Sequence, residues 1–289
     1  MKQPAPPHDS RAAPSHDARA ALSHDARAAL SANRNFVQSL AKGLDILAEF
    51  SDGQLLGNQE LVARTGLPKA TVSRLTSTLV ALGYLRVDPT SRKMRMGVRV
   101  LSIGASYQRH VALQQVARPW LARLSEELQM TVSLATRDQL EMVFLEVVKP
   151  PPNSIRLVTN TDIGSLMPIA CTSIGLAYVV GASVRERSEI VQGLSRQHPK
   201  EWPTWRASIE RAHQDYERYG FVISQRSWGR EVNAVGVPLS LREHQLVAAF
   251  HCAGPASLHS LPSLRRNIGP RLRDTVNDIA QAMKERARP

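Results

Sequence analysis

The sequence lacks the residues and runs that mark several common classes of protein. Its two cysteines, Cys171 and Cys252, are too few for a disulfide framework or a cysteine-built zinc site, and this scarcity fits a reducing cytoplasm. No long uncharged apolar run is present to span a membrane, and the first residues lack the apolar stretch of a signal peptide. Phosphate-binding loops, dinucleotide fingerprints and metal-ligand histidine spacings are also missing. We therefore expect a cytoplasmic protein without a metal or cofactor.

Acidic residues are scarce relative to basic ones. The chain has 25 Asp and Glu against 37 Lys and Arg, a formal net charge of +12. This excess favours an anionic partner, although charge alone does not distinguish DNA from RNA or a membrane surface. With 289 residues, 43% of them hydrophobic, the chain is long enough for two modest domains and a tail.

The first part of the chain is a repeat. Residues 8–15, 16–23 and 24–31 are three copies of a unit close to His-Asp-Ala-Arg-Ala-Ala-Leu-Ser. Its charges nearly cancel and its bulky apolar residues are few, so it cannot bury a core. An eight-residue period does not bring the three histidines to one helical face, which argues against metal binding. We expect residues 1–34 to be a disordered or nascent-helical tail.

Residues 36–97 have three helix-like patterns followed by a short basic hairpin. The first helix, about Ser39 to Phe50, is expected to bury Leu40, Leu44, Leu47 and Phe50. The second, about Asn58 to Arg64, has Asn58 as its expected N-cap and ends at Thr65-Gly66. Two short helices joined by a glycine-containing turn are typical of a helix-turn-helix.

The third helix of this region, about Lys69 to Leu82, has two different faces. Its apolar residues fall at helical spacing and predict a buried stripe of Val72, Leu75, Leu79 and Leu82. The opposite face holds Ala70, Ser73, Arg74 and Ser77. Small residues let a helix enter a groove, and arginine can make a bidentate contact to guanine or to a phosphate. This helix is therefore the predicted recognition helix.

A basic hairpin pattern follows the third helix, with residues 83–87 and 92–96 as its arms around a turn-rich centre. Such a wing would lie along phosphates and contribute affinity with little sequence information. A protein-interaction module is the alternative, because winged helices also serve that role. We predict the following DNA contacts: Lys69, Ala70, Thr71, Ser73, Arg74, Ser77, Arg86, Arg92, Lys93 and Arg95.

Residues 36–285 resemble the IclR family of bacterial transcriptional regulators. The resemblance rests on the pattern Ser39-Leu40-x-Lys42-Gly43-Leu44-x-Ile46-Leu47-x-x-Phe50 and on the run from Thr65 to Leu75, followed by Thr78-Leu79 and Gly83-Tyr84. It implies an α+β protein with an N-terminal winged helix-turn-helix, a linker helix and a C-terminal GAF-like α/β effector-sensing domain, assembled as a homodimer or homotetramer. The expected boundaries are 1–34 for the tail, 35–97 for the DNA-binding domain, 98–128 for the linker and 129–289 for the effector domain.

The second half of the chain alternates between strand-like and helix-like patterns. The predicted linker helix contains Pro119, which would break or restart it. The predicted strands are 131–135, 142–148, 155–158, 221–224, 234–239 and 245–252. The predicted helices are 172–180, 184–192, 204–219 and 262–284.

Two segments of this half are similar to the effector pocket of the family. The start of the helix near Thr172 could hold a carboxylate with backbone N–H groups. The chain departs from the pattern of members that sense very small oxoacids at Ser224, Ala234, His251 and Ala253. Trp228 with Arg226 or Arg230 would suit a larger or aromatic organic acid; the equal alternative is a core Trp228 with both arginines in solvent. The predicted pocket residues are Gly164, Met167, Cys171, Thr172, Ser173, Ser224, Arg226, Trp228, Val232, Ala234, His251 and Ala253.

These patterns predict a ligand-responsive regulator of transcription that is not an enzyme. Its expected partners are double-stranded operator DNA, a small organic-acid effector and further copies of the chain. The alternative is a small-molecule enzyme or a protein-interaction module that carries a winged helix. In the enzyme alternative, Cys171 or Cys252 would act as nucleophile with a histidine.

Overall fold

The chain is divided into two compact units in a computed structural model. The structure describes residues 35–50, 53–110, 112–152, 161–225, 231–241 and 246–286. The predicted tail and the predicted strand at 155–158 lie outside these residues. The first unit comprises the described residues up to Ala112, and the second begins at Leu113. The division lies within the segment that the sequence predicts as a linker.

The amino-terminal unit consists of three helices, a hairpin and a further helix. Its first three helices agree with the three predicted ones, and its two strands pair antiparallel as predicted. A bridge between Leu56 and Met94 adds the loop before the second helix to this hairpin. The bounds are α1 Gln38–Ala48, α2 Asn58–Thr65, α3 Lys69–Ala81, β1 Leu85–Val87, β2 Met94–Met96 and α4 Arg99–His110.

The core of this unit differs from the prediction at three leucines. It is formed by Ile46, Phe50, Leu56, Leu61, Val72, Leu85 and Met94. Leu40 and Leu44 were expected inside but are 62% and 57% exposed, and Leu82 is 47% exposed. The buried residues of α1 are instead Gly43 and Ile46, followed by Phe50 in the turn after the helix, which is also a helical spacing, so periodicity alone did not distinguish the two stripes.

The start of α2 also differs from the prediction. Gly57 is the N-cap, and its backbone N–H donates to Glu60 Oε2 at 3.0 Å. Asn58 lies one residue later, where its side chain accepts a hydrogen bond from α3 instead of capping its own helix. Glycine and asparagine are both acceptable N-caps, and the carboxylate of Glu60 satisfies the exposed N–H group at this helix start.

Helix α5, Ala112–Leu128, belongs to the carboxy-terminal unit from Leu113 onward and contains Pro119 without ending there. The prediction that Pro119 would break the helix is therefore wrong. The proline side chain is exposed, while Leu113, Ala117, Leu121 and Leu124 form a buried stripe along the helix. Burial of this stripe offsets the one backbone hydrogen bond that proline cannot make.

A six-stranded antiparallel sheet forms the centre of the second unit, in the order β5-β4-β3-β8-β7-β6. Its strands are β3 Thr131–Asp138, β4 Glu141–Val148, β5 Leu166–Pro168, β6 Val222–Gln225, β7 Val232–Leu241 and β8 Leu246–Pro255. Its helices are α6 Ser173–Gly181, α7 Val184–Gln197, α8 Trp202–Tyr219, the short α9 Leu261–Ser263 and α10 Gly269–Arg286, with a π-helical turn at Leu264–Ile268 before α10. Strand β5 was not predicted.

Helix α6 packs directly on this sheet. A Cβ atom built on Gly236 of β7 would lie 2.2 Å from the carbonyl oxygen of Ser173, so only glycine permits this approach. Because side chains alternate along a strand, Ala234 and Gly236 face α6 while Val235 and Val237 face away. The start of α6 is thereby fixed above the middle of the sheet.

Candidate nucleic-acid interface and ligand cavity

The outward face of helix α3 is open to solvent. Ala70, Ser73, Arg74 and Ser77 are exposed, as the sequence predicts, and Lys69 is exposed at the helix start. Thr71 is half-buried. Val72 on the opposite face is fully buried, so the helix is held by one side and presents the other. Small side chains around one arginine leave enough room for close approach to a groove.

The turn between α2 and α3 is set by local hydrogen bonds. The hydroxyl of Thr65 donates to the carbonyl oxygen of Leu61 at 2.6 Å and accepts from the backbone N–H of Leu67 at 3.3 Å. Gly66 has φ +66°, a left-handed conformation that ends α2 and that other residues adopt only with strain. The residue types that set the turn between the two helices, a threonine followed by a glycine, can therefore be recognised in the sequence.

A buried polar contact holds α2 and α3 together. The hydroxyl of Thr76 lies 3.1 Å from Oδ1 of Asn58, 2.9 Å from the carbonyl oxygen of Val72 and 3.1 Å from that of Ser73, three acceptors for its one proton. Thr76 is 2% exposed, and Asn58 is half-buried. A hydrogen bond in such a place defines the relative position of two helices more narrowly than apolar packing does.

The wing presents three exposed arginines around a structured turn. Arg86, Arg92 and Arg95 are exposed. The Asp88 carboxylate accepts hydrogen bonds from the backbone N–H and hydroxyl of Ser91, both at 2.7 Å, and these bonds hold the pKa of Asp88 below its usual value. Arg92 follows with φ +58°, which closes the turn. The wing is thus shaped by an ionised aspartate while its arms remain basic.

Lys93, predicted as a DNA contact, is engaged elsewhere. Its ammonium group forms an ion pair with Glu60 of α2, and this hydrogen bond is the main reason that the pKa of Glu60 lies below its usual value. Both side chains are partly exposed, so the pair contributes little stability. Its geometric effect is to tie the wing to the helix-turn-helix. We accordingly rank Lys93 below the three wing arginines as a phosphate contact.

A cavity lies between the start of α6 and the sheet of the second unit. Its lining residues are Thr131, Thr161, Met167, Thr172, Ser173, Ser224, Val232, Ala234, His251 and Ala253. Eight of them belong to the predicted pocket, whereas Gly164 and Cys171 of that prediction are not among the lining residues. Arg226 and Trp228 lie outside the described residues. The sequence analysis did not name Thr131 or Thr161. The alternation of side chains along its strand could have identified Thr131 as a lining residue, whereas no feature of the sequence indicates Thr161.

The cavity exists because one row across the sheet has small side chains. Cross-strand pairing places Thr131, Ala253, Ala234 and Ser224 side by side on β3, β8, β7 and β6. Directly paired residues of antiparallel strands point to the same face, so these four form a continuous floor. None is larger than threonine. The volume is about 40 Å³, enough for a few water molecules at roughly 10–15 Å³ each. An aromatic ligand therefore requires the cavity to widen.

The first turn of α6 forms one wall of the cavity. Thr172 is the N-cap, and its hydroxyl accepts from the N–H of Gly175 at 3.1 Å and donates to the carbonyl oxygen of Pro168 at 2.8 Å. The free backbone N–H groups of a first helical turn attract anions. No lining residue is Lys, Arg, Asp or Glu, so among the described residues the helix terminus is the source of positive potential in the cavity.

Neither cysteine has the surroundings of a nucleophile. Burial raises the pKa of Cys171 to about 11, and it raises the pKa of the fully buried Cys252 further. Both are therefore thiols, not reactive thiolates, at neutral pH. Cys252 and His251 point to opposite faces of the sheet, as neighbours on one strand do. Within the described part of the chain, no cluster of His, Cys, Asp or Glu has the geometry of a metal site, and no helix is long and apolar enough to cross a bilayer.

Two family models match the chain in the order of its two units. The model described as the IclR helix-turn-helix domain matches residues 39–89. The model described as the C-terminal domain of the bacterial transcriptional regulator IclR matches residues 105–281.

Individual relatives extend along most of the chain. The HTH-type transcriptional regulator TsaQ1/TsaQ2 of Comamonas testosteroni is 51% identical over 253 residues, which cover 88% of this chain and 90% of that protein. The crystal structure of an IclR family transcriptional regulator from Brucella abortus has a TM-score of 0.75 and 38% identity, and covers 87% of this chain and 95% of its own. An IclR homolog from Microbacterium hydrocarbonoxydans, crystallised with 4-hydroxybenzoate, shares the fold with a TM-score of 0.67 at 20% identity, covering 84% and 99%.

Proposed function

The chain belongs to the IclR family of bacterial transcriptional regulators, and we propose that it controls genes for the catabolism of an aromatic acid that binds in its cavity. It is a ligand-responsive DNA-binding regulator, so its first partner is double-stranded DNA. One observation identifies the residues proposed to bind DNA: the outward face of α3 is exposed to solvent, and Arg74 lies there among small side chains. A regulator of this kind acts at the chromosome, in the bacterial cytoplasm.

In this proposal, Arg74 and the arginines of the wing have different roles in DNA binding. Arg74 contacts a base or a phosphate in the major groove, because it lies on the helix that fits there. Arg86, Arg92 and Arg95 contact phosphates and contribute affinity for any sequence. In a dimer, two recognition helices would bind two half-sites of a roughly palindromic operator.

The test of the DNA interface uses genomic fragments that the full chain enriches, followed by gel-shift titration. Arg74→Ala is expected to weaken binding by about 1–3 kcal/mol, roughly 5- to 150-fold. Arg196→Ala, at an exposed arginine of α7, is the matched control and should bind as the unchanged chain does. Full affinity in a correctly folded Arg74→Ala variant would show that α3 does not contact DNA through this residue.

The effector is proposed to be an aromatic acid. In support, the described cavity lining is largely apolar, has several hydroxyl groups and borders a helix N-terminus that suits a carboxylate. A structural relative holds 4-hydroxybenzoate, which makes this acid the first probe. Ser224 of β6 lines the cavity, and Arg226 and Trp228 come soon after the end of this strand in the sequence. Both remain predicted contacts to the ring or the carboxylate.

Thermal unfolding with 4-hydroxybenzoate tests the site. A ligand that binds only the folded state raises stability by about 2.7 kcal/mol at a concentration 100 times its dissociation constant. Ala253→Leu fills the floor and should abolish this gain while leaving DNA binding without ligand unchanged. If the ligand stabilises Ala253→Leu as much as the unchanged chain, the ligand binds at another site. No gain in the unchanged chain would reject this acid as the effector.

The chain is proposed to form a homo-oligomer through its amino-terminal unit. Val37, Leu40 and Leu44 are each more than half exposed and fall on one stripe of α1 and its N-cap, and Leu101 of α4 is 71% exposed. A second copy would bury such a surface. The double variant Leu40→Glu and Leu44→Glu should lower the mass measured by light scattering, whereas Ser39→Glu, off the leucine stripe, should not. An unchanged mass would place the interface elsewhere.

A further inference from the structure

A histidine and a serine that line the cavity contact each other. Nδ1 of His251, on β8, lies 3.2 Å from Oγ of Ser173, the first residue of α6. The two residues are 78 positions apart in the sequence, and both are more than 90% buried. This contact joins the wall of the cavity to its floor.

The surroundings fix both partners. Gly236 pairs with His251 across the β7–β8 ladder, and its lack of a side chain allows the backbone of Ser173 to lie close to the sheet beside the imidazole. The ring of Phe144 lies 5.7 Å from the imidazole, centroid to centroid. The imidazole is thus held between an aromatic ring and a helix terminus, with its Nδ1 atom directed at the hydroxyl.

The imidazole is neutral at physiological pH. Burial lowers the pKa of His251 to about 4. Arg, Lys, Asp and Glu are absent from the lining residues, and the residues paired with His251 on its two neighbouring strands are Ser133 and Gly236. A neutral imidazole has one protonated and one unprotonated nitrogen, so the contact with Ser173 selects between two tautomers.

The helix terminus decides which tautomer is favoured. The first turn of α6 is the positive end of the helix dipole. A lone pair on Nδ1 is stabilised there, whereas an N–H group pointing at the same place would be repelled. This potential favours a hydrogen bond in which the hydroxyl of Ser173 donates to Nδ1 and the proton of His251 stays on Nε2.

We propose that Ser173 and the α6 terminus hold His251 as the Nε2-protonated tautomer, so that the cavity offers its occupant a neutral hydrogen-bond donor. His251 is then a specificity-determining residue for the effector, which rests on the proposed function of this cavity. It selects a ligand with an acceptor atom, such as a carboxylate or phenol oxygen, at that position. A ligand with only a hydrogen-bond donor at that position would place its own N–H or O–H group against the Nε2–H group of His251.

A second polar group beside His251 supports this picture. Ser133 is paired directly with His251 on β3 and shares its face of the sheet. Its hydroxyl is fully buried and has no hydrogen-bond partner among the described residues. An unsatisfied buried hydroxyl is costly. Ser133 does not itself line the cavity, but it adds a second buried polar group next to the imidazole, and an acceptor atom close to both would satisfy its hydroxyl.

The test is the tautomer of His251 in the free full-length protein. Long-range ¹H–¹⁵N spectra of a histidine-labelled sample distinguish protonated from unprotonated ring nitrogens, and comparison with His251→Gln assigns the signal. We expect an unprotonated Nδ1 and a protonated Nε2 from pH 5 to 8. In Ser173→Ala, the pattern should shift toward a mixture of tautomers. Ser224→Ala removes another lining hydroxyl and should leave the His251 signals unchanged.

Two results would overturn the inference. One is a protonated Nδ1 in the unchanged protein, and the other is a titration of His251 between pH 5 and 8. If Ser173→Ala fails to fold, the signals of the unchanged protein decide alone. The outcome is independent of the effector class: the predicted tautomer together with no response to aromatic acids would contradict the proposed function and leave the inference standing.

Discussion

Helices α3 and α6 both border a proposed binding surface, but they contribute to it in opposite ways. Helix α3 buries Val72 and Thr76 and exposes its outer face, so its side chains are available to a partner. Eight of the nine residues of α6 are buried, and the helix meets the cavity at its N-terminus, through Ser173 and the N-cap Thr172. An amphipathic helix can change its outer residues without loss of the fold, whereas a helix that is apolar all round cannot. Substitutions near α3 should alter affinity, and those near α6 should alter folding.

The sharpest test of this contrast is Gly236→Ala. The new methyl group would meet the carbonyl oxygen of Ser173 at 2.2 Å, and backbone on both sides prevents relaxation. We expect the carboxy-terminal unit to lose about 3 kcal/mol of unfolding free energy, the upper range for overpacking. Denaturant titration measures the loss. The control, Gly104→Ala in α4, has no atom within 4 Å of the new methyl group and should gain up to about 1 kcal/mol. Equal effects in both variants would refute the close packing of α6.

The inner side of α3 provides the next test. Thr76→Val removes the hydroxyl that links α3 to Asn58 and leaves a half-buried acceptor without its partner. We expect the amino-terminal unit to lose about 1–2 kcal/mol. Thr78→Val, at an exposed position whose hydroxyl bonds only to its own helix, should cost less than about 0.5 kcal/mol. If the two variants are equally stable, the contact between α2 and α3 does not hold the recognition helix.

The same contrast explains which features were predictable from the sequence. Helix α3 and the wing follow from periodicity and local turns, because their signals lie within a few residues of each other. Most of the cavity lining could be predicted only through the family resemblance, since its floor joins residues of four strands. The ion pair of Lys93 with Glu60 and the exposed Leu40 were missed because both depend on how distant elements pack. Thr161 had no signal at all.

The wing offers a smaller effect that concerns affinity alone. Arg95→Ala should reduce the slope of log affinity against log salt by about 0.9 for each phosphate that the variant no longer binds, with the same change on specific and unrelated DNA. Lys93→Ala is the comparison on the same arm of the wing, because Lys93 is paired with Glu60 and should change the slope less. Gel-shift titrations at several salt concentrations give both values. A larger change in Lys93→Ala would mean that the lysine leaves Glu60 when DNA binds.

The smallest expected effect concerns two buried serines of the carboxy-terminal unit, Ser125 on α5 and Ser133 on β3. Ser125 donates to the carbonyl oxygen of Met130 at 2.7 Å, whereas the hydroxyl of Ser133 has no partner among the described residues. Ser125→Ala should therefore lose about 1 kcal/mol, and Ser133→Ala should lose nothing or gain up to about 1 kcal/mol. Differential scanning calorimetry without ligand measures both. If Ser133→Ala is destabilised as much as Ser125→Ala, the hydroxyl already has a partner in solution, such as a water molecule. This hydroxyl would then be satisfied before a ligand arrives, and Ser133 would no longer support an added polar atom beside His251.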